Sequence, residues 1–131
     1  MVRTACFADI PRIAKYIWAF HQNSPYSDIS FSSEKVKRQL QALIESPKAC
    51  LFVHDYGAIA GEIVPLRFGG DHIAQEIFWW AERDGLSLLG RFEAWAEEQS
   101  VSYICMVGLV SELNKSEKLC LLYTSPSPRD A

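Results

Sequence analysis

Glu76 stands midway along the apolar run AQEIFWW, an unusual place for a carboxylate. On an extended chain alternate side chains share a face, which would group Ala74, Glu76, Phe78, Trp80 and Glu82. Aromatic neighbours solvate a carboxylate poorly and raise its pKa, the direction in which a general base for neutral pH must move. The plainer alternative is a strand glutamate on a solvated face. Trp79 and Trp80 must point to opposite faces, so one enters the core. The other either lines an acceptor cleft or is buried by a second layer.

The remaining reactive residues point to less. His54 and His72 lie beside turns and are expected to be exposed turn residues, and His21, late in a helical stretch, a surface group. None stands at a spacing from a serine or cysteine that marks a nucleophile and its base. Cys6, Cys50 and Cys105 lack C-x-x-C spacing, so neither a zinc site nor a disulfide framework is indicated. Cys105, inside an apolar strand, is expected to be an inert buried thiol.

These residues need elements to hold them. VRTAC (residues 2–6) is a short β-prone run. In DIPRIAKYIWAFHQ, Asp9 can cap, Pro11 comes early, and Ile10, Ile13, Ala14, Ile17 and Phe20 recur at helical spacing. In FSSEKVKRQLQALIES, Ser32 can cap, Phe31 and Val36 occupy staple positions, and Val36, Leu40, Leu43 and Ile44 form one face. ACLFVH (49–54), AIAGEIVPLRF (58–68) and HIAQEIFWWAE (72–82) are joined by the turns DYG and GGD, which predicts a three-stranded meander. Pro65 donates nothing to a ladder, so a bulge or free edge is expected there. LSLLGRFEAWAEEQ returns to helical period through Leu88, Leu89, Phe92, Trp95 and Ala96. Glu93, Glu97 and Glu98 read as its solvated face, with a like-charged pair four apart. VSYICMVGL is a last apolar strand, giving the order β-α-α-β-β-β-α-β.

That order resembles the GNAT N-acetyltransferase family over nearly all of residues 1–119. VRTACFADIPRIAKYI is similar to the family's opening strand and helix, AGEIV to its third strand, and residues 73–109 to the strand, loop, helix and strand that hold coenzyme A. The resemblance implies an α/β (α+β) fold with a mixed, mainly antiparallel sheet and flanking helices. It implies an acyl-CoA N-acyltransferase that carries the acetyl group of acetyl-CoA to a small-molecule or peptide amine, with Glu76 where several relatives carry their base.

The family's phosphate loop has the pattern R/Q-x-x-G-x-G/A, and Arg83, Asp84, Gly85, Leu86 and Ser87 stand in its place with one glycine. Gly85 permits close backbone approach, and the Ser87 hydroxyl can reach a phosphate oxygen. Asp84 is a natural N-cap, whose carboxylate would compete for the same amides. Cofactor contacts implied by the resemblance are Trp80, Ala81, Arg83, Gly85, Leu86, Ser87 and Asn114, the last within SELNKSEKL where the family begins its next helix. A catalytically silent GNAT-like binding module, dimeric through an exposed sheet edge, is the alternative reading of so reduced a loop.

About half of the 131 residues are hydrophobic (49%), with four tryptophans, which suffices for the core of one domain. A net charge of -3 offers no basic footprint for nucleic acid. No run approaches the roughly 18 apolar residues of a membrane span, so a cytoplasmic, soluble protein is expected. Residues 120–130 (CLLYTSPSPRD) resemble one translated frame of a common sequencing-library adapter. A non-native tail after Leu119, and a domain incomplete at that point, are therefore expected, and Tyr123 is given no role.

Overall fold

The structure, a computed structural model, describes residues 1–23, 28, 30–66, 69–101 and 103–106. Its elements are β1 (Arg3–Thr4), α1 (Ile10–Gln22), α2 (Ser33–Glu45), β2 (Ala49–His54), β3 (Gly57–Pro65), β4 (His72–Ala81), α3 (Gly85–Glu98) and β5 (Ile104–Cys105). The expected order is found. The strands form one sheet in the order β1-β2-β3-β4-β5, antiparallel except for the parallel β4/β5 pair. Asn114, Tyr123 and the adapter-like tail lie outside the described residues. Among the described residues no helix is long and apolar enough to cross a membrane.

The apolar stripes read from the sequence close the two faces of the sheet. Ile13 and Ala14 of α1 and Leu40 of α2 are buried against Leu51, Val53, Ala58, Ala60 and Phe78. On the opposite face Leu88, Leu89, Phe92, Trp95 and Ala96 of α3 are buried against Phe52, Ile59 and Ala74. Ser32 caps α2 as expected, its hydroxyl accepting from the Lys35 N–H at 3.3 Å.

Asp9 does not cap α1. It sits at the helix entrance in helical conformation (φ -83°, ψ -13°) and makes no capping bond. Its carboxylate instead accepts from the Cys6 N–H at 2.8 Å and from both Arg3 guanidinium nitrogens at 2.8 and 2.7 Å. Arg3 holds the carboxyl well below the usual carboxylate range. The charge pair thus pins β1 to the start of α1.

Pro65 also differs from expectation. It is the last residue of β3, paired with His72, and the irregularity lies elsewhere. Register jumps between Ala60↔Phe78 and Gly61↔Glu76, leaving Ile77 of β4 without a cross-strand partner. Such a bulge inserts one residue and reverses the alternation beyond it. Ala74 therefore packs on the α3 face while Phe78 packs on the α1/α2 face.

Candidate functional site

Glu76 is buried, at 2% exposure, opposite Gly61. A Cβ on Gly61 would lie 2.2 Å from Cε1 of Phe92, so this stretch of β3 faces α3, and Glu76 with it. The bulge separates Glu76 from Phe78 and Trp80. Counting outward from it, Trp79 and Ala81 pack on the α3 side, and Trp80, opposite Ala58, belongs to the α1/α2 side. The aromatic company expected for Glu76 is thus partly replaced: Ala74 shares its face, and Trp79 takes the place assigned to Trp80.

The chain leaves β4 and turns into α3 through Glu82, Arg83 and Asp84. Asp84 adopts the left-handed conformation (φ 55°, ψ 45°), which aspartate tolerates better than most residues, and its side chain makes no capping bond. The expected competition for the first-turn amides by this carboxylate does not occur. Gly85 opens the helix with ordinary to tight room: an added Cβ would stand 3.4 Å from the Trp79 ring and 3.5 Å from Ala81 Cβ. Leu86 is 72% exposed and Arg83 is exposed. Ser87 donates its hydroxyl back to the Asp84 carbonyl at 3.0 Å.

Two side chains that the sequence left aside shape this turn. Trp79 donates Nε1–H to the Gly85 carbonyl at 3.1 Å. His54, expected to be exposed, is buried at 3% and bridges two backbone segments. Nδ1 accepts from the Tyr56 N–H at 3.0 Å, so the proton resides on Nε2, which donates to the Asp84 carbonyl at 2.8 Å. The β2/β3 turn is further tied to the loop by Glu82 N–H donating to the Tyr56 carbonyl at 2.9 Å. Arg83 lies over the Tyr56 ring, 4.6 Å from its centroid. The sequence signal for His54 was its place as the sixth and last residue of an apolar strand, every other residue of which is hydrophobic.

Other candidates fall away from the site. His72 is exposed, as expected, and His21 lies by Phe31 with ring centroids 5.4 Å apart. Burial pushes the Cys50 thiol up to about 12, and Cys105 is half-buried rather than buried. Glu93 is raised by burial and then by the negative charge of Glu97, so this flank of α3 is less solvated than expected. Among the described residues no cluster of His, Cys, Asp or Glu could hold a metal ion.

β4 and β5 pair only at Ala74↔Ile104 and Gln75↔Cys105. Beyond that point β4 runs on from Glu76 to Ala81, toward the first turn of α3, with no strand beside its outer edge among the described residues. An open strand edge offers alternating N–H and C=O groups, and a helix N-terminus adds amides and a positive dipole end. The buried carboxyl of Glu76 directly follows the β4 residues that pair with β5.

The sequence matches no family model and no curated protein. Solved structures share the fold. A GCN5-related N-acetyltransferase from Ralstonia eutropha JMP134 superposes with a TM-score of 0.63 at 11% identity, over 92% of this chain and 90% of that one. A predicted acetyltransferase from Clostridium acetobutylicum, solved with acetyl-CoA, gives 0.66 at 15% identity, over 91% and 86%. An aminoglycoside acetyltransferase from an uncultured soil metagenomic sample, in complex with trehalose, gives 0.62 at 13% identity, over 96% and 87%. This chain has the fold that these proteins share, mixed α/β with a mostly antiparallel sheet.

Proposed function

We propose that this chain is a GNAT-type N-acetyltransferase domain that takes acetyl-CoA beside β4 and the α3 N-terminus and transfers the acetyl group to an amine. The observation that supports this reading is the fold shared with solved acetyltransferases over 91 to 92% of the chain, in which β4 leads from the buried Glu76 to the first turn of α3. Acetyl-CoA supplies the thioester carbonyl that the amine attacks. Its arm contains amides, which a strand edge receives as it would another strand.

The residues of the turn fit a pyrophosphate in part. The amides of Gly85, Leu86 and Ser87 are not capped by Asp84, and Arg83 adds a cation beside them. The Asp84 carboxylate opposes the same ligand, and Ser87 already donates its proton inward. Asn114 remains a proposed contact on the resemblance alone, as do Trp80 and Ala81, which end the open edge. Glu76 takes the proton from the attacking amine, directly or through a water, so that the nucleophile is neutral when the C–N bond forms and the C–S bond breaks.

Thermal-shift titration with acetyl-CoA tests binding, because a ligand that binds only the folded state raises the melting temperature. Thiol release with an amine panel then tests catalysis. Glu76→Gln should lower turnover at neutral pH by roughly a hundredfold, the usual worth of a positioned base. It should lose less as pH rises, when more of the amine arrives neutral. A melting temperature that saturating acetyl-CoA leaves unchanged would favour the catalytically silent module, which the single loop glycine and the Asp84 charge also suit.

A further inference from the structure

On the face away from α3, helices α1 and α2 leave a cavity of about 470 Å³ above β3 and β4. Ile17 and Phe20 of α1, Leu40 and Leu43 of α2, and Phe78 of β4 give it an apolar wall. Among the described residues that line it, Glu62 is the one charged group. Among the described residues its carboxylate has no hydrogen-bond or ion-pair partner. The volume is that of a small-molecule site, which typically joins an apolar wall to a few placed polar groups.

From this we infer that the cavity binds a compact monocationic amine with an aromatic or branched aliphatic body, drawn in by Glu62. Ile77, the bulged residue of β4, also lines the cavity, on the face of the sheet opposite the Glu76 carboxyl. A carboxylate without a partner beside an apolar wall is matched by a cation that covers that wall. A polyhydroxylated polycation is mismatched, because its hydroxyls would lose water and find few partners there.

Calorimetric titration of the full chain with 2-phenylethylamine, without acetyl-CoA, tests the site. Binding is expected to weaken with added salt, since it includes a charge pair. Glu62→Gln should weaken it about tenfold, as loss of a charge-assisted hydrogen bond does. Leu40 and Leu43 stay in place in that variant, and its melting curve reports whether it folds. Glu62→Asp, retaining the charge, should recover part of the loss. 2-Phenylethanol and the aminoglycoside sisomicin should each bind more weakly than the amine. Equal binding of amine and alcohol, an unaffected Glu62→Gln, or tighter binding of sisomicin would each overturn the inference. Acetyl-CoA binding without amine binding would sink this inference alone, and amine binding without an acetyl-CoA shift would sink only the transferase reading.

Discussion

Replacing His54 by alanine should lower the melting temperature by roughly 5–10 °C. The side chain is 3% exposed, and its two ring nitrogens satisfy the Tyr56 N–H and the Asp84 carbonyl, which are far apart in sequence. A buried backbone group left without its partner costs about 1–3 kcal/mol. Tyr56 is 40% exposed and Asp84 is exposed, so water can reach both groups in part, and the lower end applies. Two such losses make about 2–3 kcal/mol, and a domain of this size loses about 3 °C for each. The Glu82–Tyr56 bond and the Arg83–Tyr56 stacking persist in the variant, which again limits the loss. Two partial replacements sharpen the test. Asparagine places an acceptor near the Nδ1 position and can restore the Tyr56 bond, whereas glutamine places a donor near Nε2 and can restore the Asp84 bond. If the bond to Asp84 holds the turn before α3, His54→Gln should keep more of the acetyl-CoA thermal shift than His54→Asn. Differential scanning calorimetry with and without acetyl-CoA reads both. An alanine variant melting within 2 °C of the parent, a fall below about 1 kcal/mol, would refute the claim that His54 locks these segments together.

Gly61→Ala should shift the urea midpoint down by the equivalent of about 1–3 kcal/mol, because its Cβ would meet Phe92, itself fully buried, at 2.2 Å. An unchanged midpoint would mean that the α3 face yields without strain. Iodoacetamide at pH 8 followed by peptide mass mapping should label exposed Cys6 and spare Cys50, whose thiol burial pushes up to about 12; labelling of Cys50 in the folded protein would contradict its burial. Arg3→Gln should destabilise the protein above about pH 4, where an unfolded aspartate is ionised, and the difference should shrink as pH falls through the lower folded value of Asp9. The effect should be small because Arg3 is 53% exposed, and a difference that grew toward acid pH would reverse the assignment.

The helices were legible because their packing follows local period. Every α3 residue read as core, from Leu88 to Ala96, is buried, and the stripes of α1 and α2 point at the sheet as read. β2 was legible to the residue, since an apolar run between Pro47 and a tight turn leaves little freedom. His54 and Trp79 escaped because their roles depend on backbone atoms far off or around a turn. A hydrogen bond from His54 to a carbonyl thirty residues away leaves no spacing to detect. Asp9 and Asp84 both stand where caps of α1 and α3 belong, and neither caps its helix. The Asp9 carboxylate instead closes a capping box on the 3-10 turn Phe7–Asp9, accepting from the Cys6 N–H, and pairs with Arg3, while the left-handed backbone turns Asp84 aside.

The bulge at Ile77 carries the same lesson into the site. Alternation assigns Glu76, Phe78 and Trp80 to one face, and one inserted residue moves Phe78 and Trp80 to the other. Nothing in AQEIFWW announces the insertion, since isoleucine is as much at home in a regular strand as in a bulge. Glu76 stays on the α3 face, while Ile77 and Phe78 line the cavity beneath α1 and α2. A regular strand would have set Phe78 against α3 beside Glu76. Deleting Ile77 should therefore leave Glu76 and Phe78 as neighbours on opposite faces, with Phe78, Trp79 and Trp80 keeping their present partners in β3, so the variant should fold with a regular strand; a melting curve without a cooperative transition would refute this reading of the bulge.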